Sequence, residues 1–265
     1  MTVTDVNVVK SAIFERPDDA NKGTLGSLLC VCGSYGMAGA AVMSAKGALR
    51  TGIGLAKCAL PRSIYPIVAQ TILESVYYPL SENADGRISK VNVPFLVSES
   101  CKSSATLVGC GLGVCDDTLK IVFSFIENST TPLVLDADAL NCVAKQPEIL
   151  LRKKAPIIIT PHPGEMSRLT GLATPLVNAE RERVALDFAQ KYGVVTVLKG
   201  AGTVIASPNG KVLVNPTGNS GMATGGSGDV LAGMTASILA QGASPFSSAT
   251  AAVYLHGLAG DIAAE

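Results

Sequence analysis

The amino-acid sequence predicts an α/β protein with a mostly parallel central sheet, helices on both faces and a small antiparallel hairpin at one edge. Short runs of β-branched or aliphatic residues alternate with longer helical patterns, which is typical of βαβ units. Several of the short runs are apolar without alternation, as expected for strands that helices cover on both faces. The turn sequence Pro208-Asn209-Gly210 separates the last two predicted strands and indicates the hairpin.

The predicted elements follow one another as a single domain, residues 1–265, because no stretch in the middle of the chain has the composition of a linker. Strands are predicted over residues 27–32, 54–59, 75–78, 105–108, 132–135, 156–160, 194–198, 203–207 and 211–215. Helices are predicted over residues 39–50, 61–70, 116–127, 139–145, 147–152, 165–169, 179–192, 228–241 and 245–264.

The composition restricts the possible partners. Apolar residues make up 48% of the chain and charged residues 16%, and the net charge is zero. Nucleic-acid binding requires a concentration of Lys and Arg that this sequence lacks, so we predict no nucleic-acid partner. The uncharged stretch between Asp229 and Asp261 is long enough to span a bilayer. Glycine, proline and polar residues at positions 241–248 divide it, which favours two buried helices and no membrane span.

The seven cysteines indicate a reducing compartment. Their odd number and the absence of a CxxC pair argue against a disulfide framework, and we predict reduced thiols in a cytoplasmic protein. The N-terminus lacks the basic start and apolar block of an export signal. His162 and His256 are the only histidines, and neither stands at ligand spacing from a cysteine pair, so no zinc site is predicted and no metal ligands are assigned.

Five predicted strands are followed by polar or glycine-rich segments, at residues 33–41, 109–113, 136–141, 160–165 and 199–203. Ligands of open α/β sheets bind beyond the carboxyl ends of the strands, where these segments lie. Each glycine pair alone is most often a plain turn. Their coincidence in one sheet favours a binding site.

The sequence GGSGD at residues 225–229, directly ahead of an apolar helix, is the most informative of the glycine-rich segments. Gly225, Gly226 and Gly228 allow consecutive N–H groups to point into one concavity, and the positive end of the helix dipole attracts phosphate there. Asp229 is either a first-turn carboxylate favoured by the dipole or a base that takes a proton from a substrate hydroxyl. These residues alone leave both readings open.

Six segments together resemble the NAD(P)H-hydrate dehydratase family of the ribokinase-like superfamily. They are NKGTLGSLLCVCGSYGMAGAA, VGCGLG, LDADALN, TPHPGE, VLKGAGTVIA and NPTGNSGMATGGSGDVLAGM, from about residue 22 to the end. GGSGD alone resembles only the anion-hole motif of the superfamily. The order of all six indicates the family, and with it a ribokinase-like three-layer fold.

The resemblance implies a nucleotide-driven dehydration. Family members use ADP or ATP to phosphorylate the C6 hydroxyl of hydrated NADH or NADPH, and phosphate then leaves to restore the cofactor. We predict the ADP-dependent type, acting on the (S) form and releasing AMP and phosphate. Mg²⁺ is expected as a cofactor because phosphoryl transfer requires charge neutralisation. The resemblance also implies a homo-oligomer, with a tetramer favoured.

The family's site residues transfer to matching positions of this sequence. The nucleotide would be bound by Lys199, Gly200, Ala201, Gly202, Thr203 and Gly228, to which the neighbouring glycine loop adds Gly225, Gly226 and Asn219. The hydrated cofactor would be met by Ala40 or its neighbour Gly39, by Gly111, by His162 and by Asp229, with Asp229 as the catalytic base. Asp136 is added to this set from its position directly after a predicted strand.

Structural alternatives remain open for several of these residues. Lys199 would otherwise be a solvated lysine at a strand end, His162 a histidine that caps its own turn, and Asn219 a turn residue. His256 is predicted to pack within its helix. Asp136, with Asp138 and Glu165, either lines the substrate cleft or holds magnesium through water.

Two other functions compete with the dehydratase. A ribokinase-like kinase of a vitamin precursor would use Asp229 in the same way, whereas a regulatory nucleotide-binding protein would need no base. The segments TPHPGE and GSYGMAGAA favour the dehydratase. The family usually continues past the segment YLHGLAGDIA, whereas this sequence stops at Glu265, which is consistent with a truncated chain, and no epimerase domain fits within the first twenty residues.

Overall fold

The computed structural model describes residues 3–13 and 17–265. The predicted domain, residues 1–265, includes residues 1, 2 and 14–16, which lie outside the described residues. The strands are β1 Ser27–Val31, β2 Leu55–Pro61, β3 Val76–Leu80, β4 Ala105–Val108, β5 Leu133–Leu135, β6 Ile157–Ile159, β7 Val195–Leu198, β8 Val204–Ala206 and β9 Val212–Val214. The α-helices are α1 Val6–Ala12, α2 Ala38–Arg50, α3 Tyr65–Thr71, α4 Val93–Cys101, α5 Asp116–Asn128, α6 Asp138–Val143, α7 Pro163–Thr170, α8 Thr174–Ala179, α9 Arg181–Tyr192, α10 Ser227–Ala240 and α11 Pro245–Ala263.

The nine strands form one sheet in the order β3-β2-β1-β4-β5-β6-β7-β8-β9. Strands β1 to β7 are parallel, and β8 and β9 continue the sheet antiparallel. Each of the nine predicted strands is present, and the edge hairpin is confirmed. Its turn uses Asn209, whose side chain accepts a hydrogen bond from the N–H of Lys211 at 3.3 Å, and Gly210 at φ +95°.

Both faces of the sheet are covered by helices, as predicted. Successive residues of β1 point to opposite faces: Leu28 and Cys30 belong to one buried cluster, and Leu29 and Val31 belong to the other. Helices α1, α2, α3, α10 and α11 contribute to the first cluster, whereas α4 to α9 contribute to the second. Because helices cover both faces, the central strands β4, β5, β6 and β7 are fully buried and mostly apolar.

The helix prediction was wrong over residues 61–64. Strand β2 continues through Pro61, which pairs with Leu80 of β3, and α3 begins only at Tyr65. Proline is tolerated at the end of a strand. It is also tolerated in the first turn of a helix, because N–H groups there have no acceptor within the helix. The proline that begins the helix is Pro66.

Three helices were not predicted, α1, α4 and α8. Helices α4 and α8 have a proline in the first turn, Pro94 and Pro175, where proline favours a helix start. Helix α1 is capped by Asp5, whose side chain accepts hydrogen bonds from the N–H groups of Asn7 and Val8. Residues 147–152 form a 3₁₀ helix where an α-helix was expected. None of the helices in the described ranges is long and apolar enough to cross a membrane.

Helices α2 and α10 cross at two glycines. A Cβ at Gly233 would lie 2.0 Å from the carbonyl oxygen of Ser44, and one at Gly47 would lie 2.7 Å from the carbonyl oxygen of Val230. Only glycine permits so close an approach of the two backbones. The contact places the first turn of α10 beside the carboxyl ends of the central strands.

Candidate active site

The carboxyl ends of β1, β4, β5, β6 and β7 meet at one edge of the sheet, because these strands are parallel and adjacent. The segments that follow them are joined by hydrogen bonds. The N–H of Gly33 donates to the carbonyl oxygen of Cys110 at 2.8 Å, and the N–H of Lys199 donates to the carbonyl oxygen of Pro161 at 2.8 Å. The predicted convergence of polar strand ends is therefore present.

Helix α10 begins at this edge. Gly226 precedes it at φ +94°, and a Cβ there would lie 2.0 Å from the Sδ of Met43. Gly228 faces Lys199, since a Cβ on Gly228 would lie 3.4 Å from the Lys199 Nζ. A Cβ on Gly225 would meet no atom within 4 Å. The first-turn N–H groups and the positive helix end thus adjoin a lysine, an arrangement suited to phosphate oxygens.

Asp229 lies in the first turn of α10, against a buried carboxylate and a thiol. Ligand atoms of Cys110, Asp136 and Asp229 all lie within 4.8 Å of one another. Burial of Asp229, followed by repulsion from Asp136, raises its pKa from 3.8 to about 6, although a hydrogen bond with Cys110 and the charge of Lys199 act in the opposite direction. A carboxylate of this pKa is a proton acceptor matched to neutral pH.

Lys199 is the cation of the site. Its Nζ lies 2.7 Å from the Asp136 Oδ1 and 3.9 Å from the Glu165 Oε2, and its side chain is only 18% exposed. Burial lowers the pKa of Lys199, but the charges of Asp136 and Glu165 outweigh that effect, and the net shift is upward. Lys199 is therefore a fixed, charged lysine and not a solvated one.

Asp136 is almost completely buried and holds the centre of this network. Its Oδ1 accepts hydrogen bonds from Lys199 and from the Thr160 hydroxyl at 2.8 Å, and its Oδ2 lies 3.7 Å from the Cys110 Sγ. The next residue, Ala137, has φ +49° ahead of α6. With its carboxylate engaged in this way, Asp136 orients Lys199 and raises the pKa of Asp229.

His162 caps α7 and remains half exposed. Its Nδ1 accepts hydrogen bonds from the N–H groups of Gly164 at 3.0 Å and Glu165 at 3.4 Å, and the Glu165 carboxylate accepts from the N–H of His162 at 2.8 Å. Burial and the nearby charges of Lys199 and Arg168 lower the pKa of His162. The neutral ring therefore carries its proton on Nε2, which makes it a hydrogen-bond donor. The capping alternative and the binding prediction are compatible.

The structure brings Gly111 and Ala40 into contact. Gly111 has φ +66°, and a Cβ there would lie 2.7 Å from the Cβ of Ala40. The Ser34 hydroxyl donates to the Gly111 carbonyl oxygen at 2.7 Å and joins the first and fourth strand ends. Gly39 has open space around it, since a Cβ would meet only the Met43 Cε at 3.9 Å.

The predicted nucleotide segment, residues 199–203, turns away from β7 into β8. The Thr203 hydroxyl donates to the Gly200 carbonyl oxygen at 3.0 Å. Ala201 and Gly202 line an open cleft of about 650 Å³ whose opposite wall is the start of α9. A backbone loop beside such a cleft can present its N–H groups to a nucleotide.

The side chain of Asn219 makes three hydrogen bonds within the protein. Its Nδ2 donates to the Gly260 carbonyl oxygen at 2.8 Å and to Asp261 at 3.1 Å, and its Oδ1 accepts from the N–H of Gly221 at 2.9 Å. These bonds tie the loop ahead of α10 to α11. A nucleotide contact of Asn219 stays a prediction.

Three site neighbours escaped the sequence interpretation. The Nε2 of His256 lies 3.4 Å from the Ser227 hydroxyl at the start of α10, although His256 was expected only to pack within its helix. Cys110 contacts both aspartates, and Arg181 lies against Gly200. For Cys110 the glycines on both sides were a usable signal, whereas the contact of His256 spans 29 positions without a local motif.

The donors present fit a magnesium ion only in part. Carboxylate oxygens of Asp136 and Asp229 are the ligand type that Mg²⁺ prefers, but the thiol of Cys110 is not, and Lys199 already occupies the Asp136 Oδ1. The remaining carboxylate oxygens can hold Mg²⁺ through water when nucleotide phosphates supply its other ligands.

The parallel sheet with its antiparallel edge, together with the glycine-rich start of α10, defines a ribokinase-like protein. A family model described as NAD(P)H-hydrate dehydratase matches residues 28–265, and the chain belongs to that family. The crystal structure of ADP/ATP-dependent NAD(P)H-hydrate dehydratase from Bacillus subtilis, co-crystallised with ATP and Mg²⁺, is similar with a TM-score of 0.84 and 31% identity. The match covers 98% of this chain and 89% of that one.

Two curated relatives differ in length. The ADP-dependent (S)-NAD(P)H-hydrate dehydratase of Neisseria meningitidis serogroup B is 36% identical over 94% of this chain and 81% of its own length. The bifunctional NAD(P)H-hydrate repair enzyme Nnr of Moorella thermoacetica is 39% identical over 96% of this chain but 48% of its own length. The chain thus spans about half the length of the bifunctional relatives that it matches.

Proposed function

We propose that this chain is an ADP-dependent (S)-NAD(P)H-hydrate dehydratase that restores NADH and NADPH from their hydrated forms. The observation that carries the proposal is Asp229, a carboxylate with a pKa of about 6 in the first turn of α10, where the free N–H groups of the helix start suit phosphate oxygens. The Neisseria relative, 36% identical over most of its length, supports the same substrate and nucleotide.

The first step is a phosphoryl transfer. The Asp229 carboxylate takes the proton of the C6 hydroxyl as that oxygen forms a bond to the β-phosphorus of ADP. The bond between the β-phosphorus and the bridging oxygen breaks, and AMP leaves with the electron pair. The N–H groups at the start of α10 and the Lys199 ammonium stabilise the negative charge on the transferred group.

The second step is an elimination. The lone pair of the ring nitrogen expels phosphate from C6, because phosphate is a far better leaving group than hydroxide. The departing phosphate takes a proton from C5, and the C–H electron pair restores the ring double bond. Gly111, Ala40 and Gly39 present backbone close to the substrate, and His162 donates from Nε2 to a polar group of the hydrated cofactor.

Asp136 acts through Lys199, whose ammonium it holds at 2.7 Å. Residues 200–203, with Gly225, Gly226, Gly228 and the Asn219 loop, would bind the nucleotide. When bound with the nucleotide, Mg²⁺ would neutralise phosphate charge, held through water by the carboxylates of Asp136 and Asp229. A relative crystallised with ATP and Mg²⁺ supports the metal and a use of ATP in place of ADP.

The decisive experiment mixes purified protein with hydrated NADH and either ADP or ATP and follows the dihydronicotinamide absorbance. Recovery of absorbance with ADP, with AMP as the second product, is expected. Recovery with ATP alone would replace the ADP-dependent activity by the ATP-dependent one. No recovery with either nucleotide would favour the small-molecule kinase.

We further propose a single-domain, cytoplasmic homotetramer. All seven cysteines are free thiols, which suits a reducing compartment. At the β3 edge of the sheet, the side chains of Ile67, Leu73 and Val76 are 56%, 83% and 41% exposed, and such apolar exposure is typical of a subunit contact. Light scattering of the purified protein would measure the oligomeric state.

A further inference from the structure

Arg181, the first residue of α9, lies beneath the bend that residues 198–202 make at the end of β7. Its Nη2 donates to the Leu198 carbonyl oxygen at 2.8 Å and lies 3.5 Å from the Gly202 carbonyl oxygen. A Cβ on Gly200 would lie 2.8 Å from the Nη1 and 3.0 Å from the Nη2. One guanidinium therefore spans the bend from its first residue to its last.

The guanidinium of Arg181 has no carboxylate partner in the described ranges of the chain. Arg183, two residues later, contacts the carboxylates of Glu180 and Asp187. The Arg181 Nε is buried without a hydrogen-bond partner among the described residues, and burial lowers the pKa of the guanidinium. Burying a charge that is bound only to carbonyl groups costs free energy. Stability alone therefore does not explain the position of this side chain.

The bend that Arg181 spans has little rigidity of its own. Gly200 has φ +146° and Gly202 has φ +66°, backbone conformations that glycine adopts readily. Because glycine has no side chain, neither residue can fix the bend through side-chain contacts. The hydroxyl of Thr203 provides one tie, to the Gly200 carbonyl oxygen. The guanidinium provides the contacts at Leu198 and Gly202, and a rigid planar fork is well suited to them.

We propose that Arg181 is a positioning residue that holds residues 199–203 in the shape that binds a nucleoside diphosphate. The inference rests on the proposed function, in which this segment binds ADP. The guanidinium contacts the carbonyl groups of the bend and not the carboxylate of Asp229. Its removal therefore weakens nucleotide binding and leaves the chemical step and the site of the hydrated cofactor largely unchanged.

The test compares Arg181→Met with wild type by calorimetric titration with ADP. Methionine keeps much of the aliphatic stem and removes the donors. Loss of a charged hydrogen bond predicts a rise of about tenfold to a hundredfold in the Kd for ADP. The KM for hydrated NADH and kcat at saturating ADP stay within about threefold of wild type. Lys191→Met, in the last turn of the same helix, exposed and outside the cleft, is the control and binds ADP as wild type does.

Two further variants keep the test decisive if Arg181→Met folds poorly. Arg181→Lys retains a donor for the Leu198 carbonyl and is expected to bind ADP with intermediate affinity. Gly200→Ala displaces the guanidinium from the other side and is expected to weaken ADP binding without a change at position 181.

The proposal is overturned by wild-type ADP affinity in a folded Arg181→Met or Arg181→Lys protein, or by an equal decline of kcat and of both substrate affinities. Wild-type protein that binds ADP but does not dehydrate would contradict the proposed function alone, because the affinity comparison still holds. Wild-type protein that binds no ADP would contradict both.

Discussion

At the scale of a single residue, Asp229 experiences opposing effects on the charge of its carboxylate. The positive end of α10 favours its negative charge, but burial and the neighbouring Asp136 disfavour it, and the pKa settles at about 6. Near neutral pH the group is ionised yet still basic. A dipole-favoured helix residue with no chemical role would not require a second buried carboxylate beside it.

Replacement of Asp229 by Asn is expected to reduce turnover by about 10²- to 10⁴-fold, the usual contribution of a general base, and to leave ADP binding intact. The melting temperature of the variant should rise at pH 8, because folding holds the carboxylate of wild type in an environment that disfavours its charge. The absorbance assay measures turnover, titration calorimetry measures ADP binding, and scanning calorimetry measures the melting temperature. Turnover at the wild-type rate in this variant would exclude Asp229 as the base.

The pH profile of kcat/KM follows from the same residue. A raised carboxyl pKa means that the active, ionised form predominates only above about pH 6. Below that value the rate should fall about tenfold for each pH unit. An acidic limb near pH 4, the ordinary carboxyl range, would show that Asp229 is not perturbed in the working enzyme.

Lys199 and Asp136 form a buried pair, and breaking it should be costly. Lys199→Met leaves the Asp136 carboxylate without its cation at 2.7 Å and is expected to lower the free energy of unfolding by about 3 kcal/mol. Urea denaturation measures the loss. The double variant Lys199→Met, Asp136→Asn removes the stranded charge and should recover part of the stability, whereas additive losses would contradict coupling of the two groups.

The crossing of α2 and α10 positions the site at the scale of elements. Gly47 and Gly233 bring the two backbones together, and the first turn of α10 then adjoins Lys199 through Gly228. The position of the α10 start relative to the end of β7 therefore depends on how closely α2 and α10 pack.

Gly233→Ala tests this packing. The added methyl would lie 2.0 Å from the Ser44 carbonyl oxygen, a backbone atom that cannot rotate away, so the helices must separate. We expect a loss of about 1 to 3 kcal/mol in the free energy of unfolding, together with reduced turnover. Gly39→Ala, which has open space in α2, is the control and should be neutral or stabilising by about 0.5 kcal/mol. Equal effects of the two variants in denaturation would refute the role of the crossing.

The covered sheet controls access to the thiols at the scale of the whole molecule. Cys101 is exposed and Cys115 is partly exposed, whereas Cys30, Cys32, Cys58, Cys110 and Cys142 are buried. Burial also raises the pKa of Cys58 to about 12 and keeps its thiolate scarce.

A thiol reagent should therefore modify Cys101 and Cys115 in seconds to minutes and the five buried cysteines only on the timescale of unfolding. Mass spectrometry of digested protein identifies the modified positions. Rapid modification of Cys110 in the native protein would mean that the carboxyl edge of the sheet opens far more than the structure indicates.

The sheet was predictable from the sequence strand by strand. A parallel strand buried on both faces is a short continuous apolar run, and turn residues such as Pro208-Asn209-Gly210 mark the chain reversal locally. The helices were less predictable from the sequence than the strands. Prolines such as Pro61 and Pro66 occupy either a strand end or a first helical turn, and the choice depends on pairing with Leu80, a partner 19 residues away.

The sequence by itself determined which segments gather at one edge of the sheet, because parallel strands place their ends together and glycine-rich motifs mark the ends. It also singled out Asp229 and Lys199. Only the tertiary structure decided the protonation behaviour of Asp229 and the ion pairing of Lys199. The raised pKa of Asp229, the pairing of Lys199 with Asp136, the contacts of Cys110 and His256 and the position of Arg181 all arise from burial and from distances between residues far apart in the chain. Electrostatic energies depend on those distances and on exclusion of water, and no local pattern encodes either.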